Sequence, residues 1–294
     1  MGHRFLIAGA GGQLGRVFLD LLPRQGHEVR GFDSKTLDMT DDEAIARALD
    51  DVEPDWVVNC AAATKVDLCE TEVEWANEIN ARTPGRLAEL CHERGLGLLH
   101  FSTDFVFDGT KQAAYVEDDP RRPLSVYGAS KSLGEDAVAA AGLDKMLILR
   151  TQWVYGPGGR NFPTAILAKA QEGGPIVVVD DQRGSPTLTL DLAELSLEIL
   201  DLVETGLAEG GVYHAANRGE MSWFEFAEIL LEKTGMQNVD LERISSEELA
   251  LPAVRPASSV LDTHKLESVL GHPMPTVQDG IERYLSLEGL IPTE

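Results

Sequence analysis

A short apolar run that ends in a glycine turn and opens directly into a helix constrains this chain more than any other feature. Residues 4–9 read RFLIAG, and the continuation GAGGQLG puts glycines at Gly9, Gly12 and Gly15. An apolar run bounded by a turn signal reads as a buried strand. From Gln13 to Leu22 the apolar positions Leu14, Val17, Phe18, Leu21 and Leu22 recur as on one face of a helix. Glycines at this spacing let the turn tighten, let the backbone approach a pyrophosphate, and let the helix pack on the strand. The helix N-terminus adds free N–H groups and the positive end of its dipole. Taken alone, such a loop is also compatible with a merely structural turn. Its place between a strand and a helix favours a dinucleotide site.

The same alternation continues. HEVRGFD, DWVVNCAA, LGLLHFST and KMLILRTQWVYG read as strands, and 41–50, 71–94 and 125–141 as helices. Strands that alternate with helices predict a parallel sheet covered on both faces, an α/β Rossmann-type doubly wound fold. The continuous apolar runs agree with burial on both sides. From about Asn161 the texture changes to mainly helical segments, 162–172, 190–204 and 222–234, with PIVVVD and GVYHAAN as short strands. The expected division is a dinucleotide-binding domain over 1–160 and a smaller, mainly helical C-terminal substrate lobe over 161–294, its chain partly threaded back onto the first.

Charge narrows the function. The formal net charge is −24, which repels nucleic acid and anionic membranes, so neither is an expected partner. An ordinary acidic surface is the favoured cause, with a salt-adapted host as the alternative. No apolar run approaches bilayer length and no signal pattern opens the chain, so a cytoplasmic protein is expected. Cys60, Cys69 and Cys91 lack the spacing of a disulfide framework or zinc site, and the histidines are scattered, so no metal is expected.

Asp33 closes the second strand, where a carboxylate accepts hydrogen bonds from ribose hydroxyls. This favours NADH over NADPH, although Lys35 is placed to meet a 2′-phosphate. Asp38 and Met39 follow as candidates to flank the adenine. Thr103 ends the fourth strand, and Tyr127 and Lys131 stand four residues apart on one helix face. A ketone that accepts hydride needs a proton. A phenol supplies it, a nearby ammonium lowers the phenol's pKa, and a hydroxyl fixes the carbonyl. Trp153 offers a flat face to a sugar ring, with a core role as the alternative. Arg183 and Arg255 are candidates for a nucleotide diphosphate, with surface ion pairs as the equal alternative. Trp223 and Phe226 read as lobe core.

With these motifs stand NCAAATKVDLCE, STDFVFDG, YGASKSLGE, RTQWVYG, DDQRGSPT and RPASSVLD. Together they resemble the extended short-chain dehydrogenase/reductase superfamily, and within it the dTDP-4-dehydrorhamnose reductases, over about residues 4–265. The resemblance implies NADH- or NADPH-dependent reduction of the C4 ketone of a nucleotide-linked 6-deoxy-4-keto sugar. It implies that Gly12, Gln13 and Leu14 touch the pyrophosphate, and that Ala62, Ala63 and Thr64 line the cofactor. Tyr127 would be the proton donor, Lys131 its partner and Thr103 the tuning hydroxyl, with Thr103, Asp104 and Trp153 on the deoxysugar. A homodimer is a further expectation. Phe105 and Ala63 depart from the usual tyrosine and larger ring of the family, and Arg16-Val17 replace the acidic residue that holds magnesium in some relatives. An epimerase or dehydratase, and a noncatalytic subunit like that of methionine adenosyltransferase, are the rival readings.

Overall fold

The computed structural model describes residues 2–292. Its centre is a six-stranded sheet in which every pairing is parallel. The strands β1 (Arg4–Ala8), β2 (Glu28–Phe32), β3 (Trp56–Asn59), β4 (Gly97–Thr103) and β5 (Met146–Thr151) lie in the order β2-β1-β3-β4-β5, with Gly211–His214 beyond β5. The chain leaves β1 in one direction to reach β2 and returns on the other side at β3. At such a reversal the crevice outside the carboxyl ends of the strands binds ligands.

Alternate residues of each strand enter opposite cores. Phe5, Ile7, Trp56, Val58, Leu99, Phe101, Leu147 and Leu149 pack with Phe18 and Leu22 of α1 (Gln13–Arg24) and with the helix Thr189–Glu204. Leu6, Ala8, Val57, Leu98 and Ile148 pack on the other face, with apolar side chains from Asp42–Val52, Thr83–Arg94 and Val126–Ala140. Two apolar faces explain why the strands read as unbroken hydrophobic runs.

Two pieces from beyond residue 160, Thr189–Glu204 and Gly211–His214, belong to this sheet layer. The remaining lobe packs Phe162–Glu172, Trp223–Lys233 and Val277–Leu287 around Phe226, Leu230, Ile281 and Tyr284. PIVVVD forms a parallel pair with Leu241–Ile244, a strand its weak sequence pattern had hidden.

The long helix expected over 71–94 is not continuous. A short helix Val66–Cys69 comes first, then Val73–Asn77, a π-helical turn Glu78–Arg82, and Thr83–Arg94. The wide turn accompanies a fully buried Asn80, whose amide bonds both the N–H and the carbonyl of Ala63 and donates to Ser130 Oγ. Such a turn shifts side chains relative to a regular helix. Here it carries an asparagine to the loop after β3.

Candidate active site

One cleft runs along the carboxyl ends of β1, β3, β4 and β5, with a volume of about 590 Å³. Among its lining residues are Gly12, Gln13, Leu14, Gly15, Ala62, Thr64, Thr103, Asp104, Tyr127, Lys131 and Trp153. Sequence separations of up to 141 positions are thereby closed into one site.

The glycine loop is built for close approach. Gly9 has φ +78°, and its carbonyl accepts from the Gly12 N–H. A Cβ on Gly15 would lie 2.5 Å from the Gly9 oxygen, so only glycine lets α1 sit this close to β1. Gly12 caps α1 without a side-chain hydrogen bond, and the first turn carries no acidic residue. Its N–H groups and dipole therefore face the cleft unopposed. Gln13 Oε1 accepts from Gly156 N–H at 3.0 Å and Asn161 Nδ2 at 2.9 Å, which ties the loop after β5 to the glycine loop.

Not every expected cofactor contact lies on the cleft wall. Asp33 Oδ1 accepts from Lys35 N–H, Thr36 N–H and Thr36 Oγ1, bonds that hold its carboxyl below the usual range. Its Cβ lies 3.3 Å from where a Cβ on Gly11 would sit, so it stands beside the loop. Asp38 is exposed and bonds Thr40, and Met39 packs against the core. Ala63 is 1% exposed among Cys69 and Ala76. Ala63, expected to line the cofactor, is therefore corrected: Ala62 and Thr64 line the cleft, and Ala63 faces the core, its backbone bonded by Asn80.

The catalytic candidates converge. Ser125 caps Val126–Ala140, its side chain accepting from Gly128 N–H, and this places Tyr127 and Lys131 over the end of β4. Tyr127 is partly buried, with Phe105 edge-on at 5.5 Å. Thr103 Oγ1 donates to Asp104 Oδ1 at 2.9 Å, and Ser259 Oγ donates to Asp104 Oδ2 at 2.5 Å.

Electrostatics corrects one expectation. The Tyr127 phenol is pushed up from its ordinary value, chiefly by burial, against the lowering effect of Thr103 and with a further push from the Asp104 carboxylate. Lys131 does not bring it down. Its Nζ donates to the Phe101 carbonyl at 2.6 Å and lies 3.3 Å from His100 Nε2. Lys131 is 2% exposed, so its ammonium takes the buried Phe101 carbonyl within reach. Burial depresses it to about 8, partly offset by the Glu135 carboxylate. His100 is held neutral, because burial and the lysine both lower its pKa.

Asp104 is raised to about 6, first by burial, with the Ser259 and Thr103 hydrogen bonds pulling it down. Between the ordinary 3.8 and about 6 the folded protein keeps a proton that the unfolded chain has released. Stability therefore falls as pH rises through that window, and the penalty is complete above it. A shift of about two units corresponds to on the order of 3 kcal/mol. Asp104→Asn is expected to flatten this segment of the stability curve, read as thermal midpoints below and above the window. An unchanged slope contradicts the assignment.

Sequence reasoning missed several groups. His100 was signalled by a polar residue inside a buried apolar strand. Glu135, one turn after Lys131, lies buried with its carboxylate bonded to Arg150, Ser102 and Arg121. Ser259 and Gln152 stand inside the motifs RPASSVLD and RTQWVYG, but neither residue was singled out there. Trp153 stacks on Trp223 at 3.6 Å and 8°, and both indoles line the cleft, so Trp223 is wall as well as lobe core. Arg183 pairs with Glu220 and Glu225, and Arg255 makes a two-pronged pair with Asp67. Of these two arginines only Arg255 lines the cleft. Among the described residues no helix is long and apolar enough to cross a membrane, and no group of three or more His, Cys, Asp or Glu is placed to hold a metal ion.

A family profile described as "RmlD substrate binding domain" matches residues 3–288. A dTDP-4-dehydrorhamnose reductase of Streptomyces griseus is 39% identical over 271 residues, covering 92% of this chain and 89% of that protein. A protein of Haloferax volcanii named probable low-salt glycan biosynthesis reductase Agl14 is 36% identical, with 94% and 95% covered. A crystal structure of dTDP-4-dehydrorhamnose reductase from Bacillus anthracis in complex with NADP superposes with a TM-score of 0.90 at 36% identity, covering 97% of this chain and 99% of that one. The profile spans nearly the whole cleft-forming chain, and the chain belongs to the RmlD substrate-binding domain family of extended short-chain dehydrogenase/reductases.

Proposed function

We propose that this protein is an NAD(P)H-dependent reductase of the C4 ketone of a nucleotide-linked 6-deoxy-4-keto sugar, with dTDP-4-dehydro-L-rhamnose as substrate and dTDP-L-rhamnose as product. The observation that carries it is the meeting of Thr103, Tyr127 and Lys131 with the glycine loop in one cleft. The names of the Streptomyces griseus and Bacillus anthracis relatives support the sugar.

The residues present fit a nicotinamide dinucleotide. The bare α1 N-terminus suits a pyrophosphate, and a Cβ would close the approach at Gly15. When bound, the reduced nicotinamide supplies hydride to the sugar carbonyl. Thr103 orients the carbonyl oxygen, and Trp153 offers its ring face to the sugar. Tyr127 donates its phenolic proton to the nascent alkoxide. Its raised pKa keeps it protonated at neutral pH, which is the form reduction consumes. Lys131, at about 8, stands near the working pH as a proton reservoir and a donor to ribose hydroxyls. Asp104 holds Thr103, and Ser259 holds Asp104, so a residue of the C-terminal lobe secures the catalytic strand end. The lobe built mainly from residues after 160 carries Trp223 to the sugar side of the cleft.

Loss of reduced-nicotinamide absorbance on adding the keto sugar tests this reading. Cofactor binding without turnover on any nucleotide 4-keto sugar overturns it.

Asp33 favours NADH, because its carboxylate would repel a 2′-phosphate. The NADP carried by the Bacillus anthracis relative supports use of the phosphorylated form as well, and Lys35 is exposed nearby. Asp33→Ala is expected to weaken NADH by about tenfold and NADPH by less, for the loss of a charged hydrogen bond. Titrations with both cofactors check it, and equal losses remove the preference.

A further inference from the structure

The side chain of Gln152 is unexplained by the mechanism above. It follows β5 directly, is 2% exposed and lines the cleft. Neither its Nε2 nor its Oε1 has a hydrogen-bond partner among the described residues. Thr151 Oγ1, 7% exposed and on the same wall, is unpartnered too. Buried polar atoms are nearly always paired, and leaving them unpaired carries the full desolvation cost. An apolar side chain of the same shape would serve packing better. A buried amide with both ends open is suited to a ligand that presents a donor and an acceptor side by side.

The position tells which ligand. Trp153, the next residue, turns toward the C-terminal lobe and stacks on Trp223. The chain just beyond is bound to the glycine loop through Gln13, at Gly156 and Asn161. Gln152 thus belongs to a segment fastened to the dinucleotide side of the cleft. A nicotinamide ring placed to reach the sugar beside Tyr127 must pass the ends of β4 and β5. Its carboxamide is a donor–acceptor pair complementary to a glutamine amide.

We propose that Gln152 recognises the nicotinamide carboxamide, with Oε1 accepting from its N–H and Nε2 donating to its carbonyl oxygen. Thr151 Oγ1 completes the contact. The pairing holds the C3 side of the ring toward Gln152 and so fixes which face of the ring meets the sugar. This rests on the reductase reading.

The test uses the full chain and equilibrium binding of three ligands. These are the reduced dinucleotide, ADP-ribose, which lacks the ring, and the 3-acetylpyridine analogue, which lacks the amide N–H. Gln152→Met is expected to weaken the reduced dinucleotide about tenfold and to leave ADP-ribose unchanged. Wild-type protein is expected to bind the acetylpyridine analogue more weakly than the nicotinamide form, and the variant to lose that distinction. Equal weakening of ADP-ribose, no weakening at all, or a loss confined to the sugar overturns the proposal. If the variant does not fold, the wild-type comparison decides, and equal affinity for the nicotinamide and acetylpyridine forms rejects it. Wild-type protein that binds neither the dinucleotide nor ADP-ribose sinks the cofactor reading itself. Normal ADP-ribose binding beside an unchanged variant sinks only the role of Gln152.

Discussion

Tyr127→Phe is expected to lower turnover by about 100-fold or more while cofactor affinity stays within about twofold of wild type. The substitution removes one oxygen and keeps the ring against Phe105. Among the described residues no other acid is placed as well. Lys131 Nζ is engaged by the Phe101 carbonyl and His100, and His100 is held neutral by burial. Asp104 is pushed up only to about 6, so at neutral pH it is mostly ionised and cannot replace the phenol. The two parameters separate the chemistry from the fold, since a misfolded variant would lose cofactor binding as well. Turnover near the wild-type rate would remove the proton-donor role and the mechanism with it.

Glu135→Gln is expected to destabilise the protein by about 3–5 kcal/mol, the usual cost of stripping one partner from a buried ion pair. Glu135 and Arg150 are each 3% exposed. Arg150 Nε and NH2 donate to the two carboxylate oxygens at 2.9 and 2.7 Å, and Ser102 Oγ donates at 2.5 Å. With glutamine in place, the guanidinium keeps its charge in a buried setting, though it still lies over the Phe107 ring at 5.2 Å and donates to the Glu117 carbonyl. The same substitution removes the carboxylate that raises the Lys131 pKa, so the lysine should titrate at lower pH. Urea unfolding measures the first effect and the pH profile of turnover the second. A variant within about 1 kcal/mol of wild type, the scale of an ordinary substitution, would show that the pair is not the anchor described.

Much of the site was legible because its signals are local. Gly9, Gly12 and Gly15 are confined by one strand–turn–helix unit, and the i, i+4 spacing of Tyr127 and Lys131 follows from one helix. The direction of the Lys131 ammonium was not legible. Helical spacing puts two side chains on a face, but a buried cation turns to whatever acceptor is near it, here the Phe101 carbonyl of β4. The expectation that the lysine acidifies the phenol failed for that reason. The π-helical turn at Glu78–Arg82 escaped for a related one, since nothing in the apolar period marks where Asn80 must reach the loop after β3.

The sequence by itself determined the parallel sheet, the glycine turn and the shared helix face of Tyr127 and Lys131, because periods of two and of 3.6 and the freedom of glycine are properties of neighbouring residues. The tertiary structure alone decided that Ser259 holds Asp104 across 155 positions, that Trp223 covers Trp153, that Ala63 faces the core, and that the Gln152 amide is buried without a partner. Those outcomes depend on how layers from distant parts of the chain pack. Burial then sets the charge and hydrogen-bonding need of each group, and no local pattern in the sequence encodes it.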